Sequence, residues 1–115
     1  MDSYATKFIG RIVEIQIDRP LDSKHPKHEF VYEVNYGFVS GTLAPDGEEI
    51  DAYILGINEP VERYKGKCIA VIHRTNDDDD KLIVIPQSID DISDEDIKKL
   101  TNFQEQFFTS EIVRR

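Results

Sequence analysis

Residues Asn35 to Asp51 read NYGFVSGTLAPDGEEID, and the rest of the chain is best understood outward from them. The stretch holds two aromatics, three glycines and four acids, too polar for a core and too patterned for a linker. Pro45-Asp46-Gly47 is a turn signature: Pro presets φ, Asp bonds its own backbone, and Gly takes a conformation other residues resist. Asp46, Glu48 and Asp51 crowd around that turn. Two like charges about 5 Å apart repel by roughly 3 kcal/mol at an effective dielectric of ~20. A fold that gathers three of them needs a compensating cation or tolerates a raised carboxyl pKa. A cation site is the expectation.

Outward from the turn the chain is punctuated into short extended runs. Before it, Phe8 to Ile17 alternates Ile12, Glu14 and Gln16 against Val13, Ile15 and Ile17, which predicts a strand with one wet face. Glu29 to Phe38 places Phe30, Tyr32, Val34 and Tyr36 on one face by period two and predicts a second strand. After the turn, Ile50–Leu55, Lys67–Arg74 and Lys81–Pro86 predict three more, the last following the acidic run TNDDDD at 75–80. The end differs in kind. Ser93 with Asp96 three residues on forms a capping box, and Asp94 and Glu95 suit the positive end of a helix dipole. Ile97, Leu100, Phe103, Phe107 and Phe108 recur at helical spacing and predict a helix to about Thr109. Five short strands followed by one helix read as α+β, with a closed barrel as the natural way to hide strand edges.

Length bounds the answer to a single domain over residues 1–115. The formal charge of −9 argues against a nucleic-acid or anionic-membrane partner, since both need a basic footprint. No apolar run approaches the 18 residues of a membrane span, and Met1 to Arg11 lacks an apolar leader segment, so a cytoplasmic location is expected. The single cysteine, Cys68, lies in the apolar run CIAVI and reads as a core residue. Lys24, His25, Lys27 and His28 form a basic loop around Pro26. That loop reads either as a solvated turn or as an anion-binding loop whose lysines offset the acids. His25 and His28 suit a transition metal by type, with nothing nearby to complete a tetrahedral set. Loops from one end of a barrel converge, which would bring Asp46, Glu48 and Asp51 to the aspartates at 77–80.

Glu14 in a strand, a lysine loop, NYGF, DGEEID, then an Asp-rich loop running into KLIVIP is an order that resembles the soluble (family I) inorganic pyrophosphatases. The family signature, Asp-x-Asp-Pro/Glu-hydrophobic-Asp, is met here by Asp46-Gly47-Glu48-Glu49-Ile50-Asp51. The resemblance runs from about residue 9 to residue 108. It implies an OB-like five-stranded β-barrel with a C-terminal amphipathic helix. It also implies Mg²⁺-dependent hydrolysis of pyrophosphate, with Mn²⁺ as the alternative ion. Carried over by position, Asp46, Asp51, Asp79 and Glu14 fall at the metal site. Lys24, Tyr36 and Lys81 fall at the phosphate, and Lys27, which matches no family position, would stand in there for a missing arginine. The family's water-activating aspartate falls at Asn76 or Asp77, of which Asp77 is the chemically competent one, and Glu48 stands as a possible base where the family has Asp. A phosphate-binding arginine of the family lacks a counterpart, and its Tyr-Lys pair is replaced by Glu111 and Ile112. These departures leave two alternatives open: hydrolysis of another phosphoanhydride such as a nucleoside diphosphate derivative, or a non-catalytic metal- or phosphate-binding domain. A homo-oligomer is also left open.

Overall fold

The computed structural model describes residues 4–76 and 79–114. After a short 3₁₀ turn at Thr6–Phe8 come β1 (Ile12–Arg19), β2 (Asn35–Val39), β3 (Ile50–Ile54), β4 (Arg63–Arg74), β5 (Lys81–Ile85), α1 (Asp94–Glu105) and β6 (Ser110–Val113). Antiparallel pairs β1–β2, β2–β3, β5–β4 and β1–β4, with the parallel pair β3–β5, close a five-stranded ring. The expected barrel is therefore present, and closure leaves these strands without a bare edge along their paired lengths. Its sixth strand was not expected. β4 is long enough that β1 pairs with Arg63 to Lys67, and β6 takes over the same edge at Val71 to Arg74.

Two apolar clusters lie on either side of the barrel wall. Val13 and Ile15 of β1, Ala52 and Ile54 of β3, and Leu82 and Val84 of β5 meet across the ring and fill its interior. Tyr53, Ile83 and Ile85 point the other way, against Ile97 and Phe103 of α1. β5 thus buries all five residues, as a strand covered on both faces must. Cys68 belongs to the interior cluster and is fully buried. Burial pushes its thiol up to about 12, against an ordinary value near 8.5. A thiol reagent at pH 8 is expected to leave Cys68 unmodified in the native chain and to modify it fully in guanidinium. Rapid labelling of the native chain would contradict this packing.

The opening motif has a structural half and a chemical half. Asn35 is fully buried. Its side-chain oxygen accepts from Leu21 N and Val61 N at 2.9 and 3.2 Å, and its amide donates to Glu59 O at 2.9 Å. One amide so pins two loops against β2. Gly37 sits where β1 and β2 meet most closely: a Cβ there would lie 1.9 Å from Gln16 O. Gly37→Ala must force the two backbones apart, and a loss above about 3 kcal/mol is expected from the shift of the urea midpoint. A loss below about 0.5 kcal/mol would show that the strands yield there.

The structure also moves element boundaries: β4 begins at Arg63 rather than at Lys67. Residues 30–34 are not strand, apart from an isolated bridge between Lys24 and Val31, and β2 begins only at Asn35. The helix begins as expected, with Ser93 Oγ accepting from Asp96 N at 3.2 Å, but it ends at Glu105 rather than near Thr109. Phe108 leaves the helical path to lie under Arg74, whose guanidinium is 3.6 Å from the ring centre. Leu100 and Phe107, expected in the packed stripe, are instead exposed. Among the described residues no helix is long and apolar enough to cross a membrane.

Candidate active site

The register of β3 and β5 sets Asp51 directly beside Lys81 in a parallel pair, on the barrel face that α1 partly covers. Lys81 is 2% exposed. Its ammonium lies 2.7 Å from Asp51 Oδ2 and 2.7 Å from Asp79 Oδ2, so one cation stands between two carboxylates. Tyr36, from the neighbouring β2, donates its hydroxyl to Asp51 Oδ2 at 2.7 Å. Burial, reinforced by the negative Asp51, holds the Tyr36 phenol well above its ordinary pKa, so it remains a proton donor.

A second charged group flanks the first. Arg74, at the end of β4, is 3% exposed and grips Glu105 of α1 with two bonds, Nε to Oε1 at 3.1 Å and Nη2 to Oε2 at 2.7 Å. Its Nη1 lies 3.5 Å from Asp79. Tyr53 donates to Glu105 Oε2 at 2.6 Å, and Gln104 donates to Tyr53 at 2.7 Å. Helix and barrel are thus joined through charges that also reach the site.

Of these groups, Tyr36, Asp51, Arg74, Asp79, Lys81 and Gln104 border an open cavity of about 590 Å³. Around it stand three acids, Asp18, Asp51 and Asp79, and four bases, Arg19, Lys27, Arg74 and Lys81. His25 lines it too, and its Nδ1 accepts from Lys27 N and His28 N at 3.0 and 3.1 Å. Burial, and then the neighbouring His28, Arg19 and Lys27, hold His25 below the ordinary histidine pKa. At neutral pH it is an uncharged ring that fixes its loop, and that Nδ1 lone pair is already in use.

Of the residues the sequence nominated, Asp51, Asp79, Tyr36, Lys81 and Lys27 are brought together on this cavity. Asp46 and Glu48 lie outside its lining, exposed in the turn that Gly47 makes at φ 86°, where Asp46 Oδ1 accepts from Glu48 N at 3.0 Å. Asp46 bears, with Asp80 and Asp79, on the Tyr4 hydroxyl, which burial first and these acids after it hold above its ordinary pKa. Glu14 is exposed on β1 opposite Lys65, and Lys24 is exposed in the basic loop; neither lines the cavity. Asp77 lies outside the described residues.

Sequence reasoning missed Asp18, Arg19 and Arg74. The register of β1 slips between Ile17 and Arg19, and a bulge of this kind re-aims the side chains beyond it. The acid that β1 contributes to the cavity is Asp18, four residues past Glu14. Asp18-Arg19-Pro20 was legible only as a strand end, and Arg74 only as the last residue of another. Charged residues at strand ends are ordinary, which is why neither stood out.

A closed barrel whose wall carries a lysine between two carboxylates, with arginines and a tyrosine beside them, defines a class of site. It presents cations to an oxyanion and oxygen donors to a metal at the same opening. The inorganic pyrophosphatase family model matches residues 13–113, and the chain belongs to that family. An inorganic pyrophosphatase of Rickettsia prowazekii is 28% identical over 114 residues, covering 81% of this chain and 66% of that one. One from Helicobacter pylori is 30% identical over 91 residues, covering 66% of this chain and 53% of its own length. This chain therefore spans between about half and two thirds of these relatives. The solved inorganic pyrophosphatase of Helicobacter pylori superposes with a TM-score of 0.69 at 19% identity, over 90% of this chain and 85% of that one. That likeness establishes the shared fold.

Proposed function

We propose that this chain hydrolyses inorganic pyrophosphate to two phosphates with the help of a divalent cation, Mg²⁺ or Mn²⁺. The observation that carries the reading is Lys81 between Asp51 and Asp79, with the Tyr36 hydroxyl beside them on the cavity. Family membership supports it independently.

The donor set fits such an ion in a particular way. Among the described residues no three His, Cys, Asp or Glu side chains stand close enough together to form a cage. Mg²⁺, however, is usually held by one or two carboxylates, water and the substrate's own phosphates. Asp51 and Asp79, each with a side chain 29% exposed, supply those two hard oxygen ligands. When bound, the ion would lower the pKa of a water molecule and neutralise phosphate charge. Lys81 and Lys27 would hold the phosphate oxygens, and Tyr36 would donate a hydrogen bond to charge that builds as the bridging P–O bond breaks. Glu48 and Asp77 are the candidate bases for the attacking water, and Asp46 a further ligand drawn in from the turn. Glu14 and Lys24 have no part in this reading.

Phosphate release from pyrophosphate, with and without Mg²⁺, tests it. Metal-dependent turnover is expected, and Asp51→Asn should reduce it by about 10²-fold or more, since a ligand and the partner of Lys81 are lost together. An Asp51→Asn variant as active as the parent would refute the assignment. Binding of Mg²⁺ or phosphate without hydrolysis would instead make the chain a non-catalytic binding domain.

A further inference from the structure

One part of the cavity's lining is aromatic. The rings of His28, Phe30 and Phe107 stand 6.0 to 6.5 Å apart by centroids. They are close to parallel, with interplanar angles of 8°, 21° and 24°. His25 joins them, its centroid 4.8 Å from Phe30 and 4.6 Å from His28. All four line the same cavity as Lys81, Asp51 and Tyr36. Phe107 is 64% exposed, so this wall meets solvent rather than a core. One exposed aromatic is ordinary, but a contiguous cluster of rings rimmed by polar residues is the mark of a ligand-binding groove.

Size points the same way. A cavity of about 590 Å³ falls in the range of roughly 300–1,000 Å³ that accepts drug-sized ligands. Two phosphate groups fill only a part of it and have no apolar surface to offer four rings. A flat heteroaromatic base does, because every base has a π-face, and stacking on aromatic side chains asks for little else. Lys27 and Arg19 line the cavity as well, where they would meet charge that the floor leaves unpaired.

We infer that this cavity takes a phosphoanhydride bearing a flat aromatic base, the smallest such ligand being a nucleoside diphosphate. Its phosphates lie toward Lys81 and its base on the Phe30–His28–Phe107 wall. This rests on the phosphoanhydride chemistry proposed above for the same cavity. Hydrolysis then balances simply. Water oxygen bonds to the terminal phosphorus, and the bridging P–O bond breaks with its electron pair going to the α-phosphate. The products are a nucleoside monophosphate and inorganic phosphate, and a proton passes to solvent.

Titration calorimetry on the full chain, in Mg²⁺, with ADP, adenosine and pyrophosphate as probes, separates the possibilities. Binding of ADP more tightly than either adenosine or pyrophosphate is expected. Phe107→Ala should weaken ADP roughly ten-fold more than it weakens pyrophosphate, and Phe107→Tyr should restore the ratio. Phe107 is exposed, so neither variant threatens folding. Equal losses for ADP and pyrophosphate, or a Phe107→Ala variant that binds ADP as the parent does, would overturn the inference. So would a change in sedimentation of Phe107→Ala without a change in ADP affinity, which would make the wall a protein contact. Turnover of pyrophosphate with no ADP binding removes this inference and leaves the proposed function intact. ADP binding with the stated ratio, but no turnover of pyrophosphate, does the reverse.

Discussion

Lys81→Met is expected to destabilise the metal-free chain by about 2–3 kcal/mol and to make its stability depend on added Mg²⁺. In the parent, the ammonium separates Asp51 and Asp79 at 2.7 Å from each. Without it, two carboxylates and the Tyr36 hydroxyl face one another, with Arg74, 3.5 Å from Asp79, left as the neighbouring cation. Removing one partner of a fully buried ion pair costs about 3–5 kcal/mol. The figure is lower here because both acid side chains are 29% exposed and solvent screens part of the repulsion. In a chain of this size the melting temperature should fall by about 10 °C. A divalent ion that occupies the vacated position should then stabilise Lys81→Met more than it stabilises the parent, by mass action. Scanning calorimetry with and without millimolar Mg²⁺ measures both quantities. If the ion raises both melting temperatures equally, Asp51 and Asp79 do not form the cation site.

The second large effect is expected at the helix. Glu105 is 8% exposed and accepts three bonds, two from Arg74 and one from Tyr53. Glu105→Ala leaves a buried guanidinium and a buried phenol without their acceptor, and a loss of about 3–5 kcal/mol follows. Replacing both charged partners by apolar residues of similar volume is often neutral. Arg74→Met combined with Glu105→Leu should therefore be less destabilised than Glu105→Ala alone, a sign of coupling that additive single effects cannot produce. Urea unfolding of Glu105→Ala, of the double variant and of its two single parts, Arg74→Met and Glu105→Leu, decides the matter. A double variant as unstable as the sum of its parts would show that the pair acts by geometry rather than charge.

The two variants act on parts of the molecule that were not equally visible beforehand. Alternation in Val13 and Ile15 and in the apolar runs at 50–55, 67–74 and 81–86 marked the strands of the ring, and Ser93 marked the start of the helix. Period two in Phe30, Tyr32, Val34 and Tyr36 identified a shared face correctly: the last three sit in one cluster, with Phe30 packed on it. It did not identify a strand, because alternation reports which side is buried and not where the backbone finds its bonds. The helix end was overrun because Phe107 and Phe108 continue the period while their rings serve the cavity and Arg74. β6, at four residues, is too short to show a pattern. At the site, Asp51, Tyr36, Lys81 and Lys27 were legible through a resemblance, whereas Asp18 depends on a slip in register that no periodicity encodes. Arg74 depends on Glu105, 31 residues away, and only folding makes that pair.

β5 lies between β3 and β4 in the ring, and it is the last of the five ring strands in the chain. While the polypeptide is being made, β1 to β4 are available before β5, and the ring stands open at the two edges that β5 will join. Both are apolar, and unpaired edges of this kind recruit other chains. The residues that close the gap, KLIVI, also deliver Lys81 to its two carboxylates. Completion of the barrel and assembly of the charged cluster are therefore one event in biosynthesis. A nascent chain halted after Arg74 has neither, and exposes sticky strands that a chaperone or a protease would recognise.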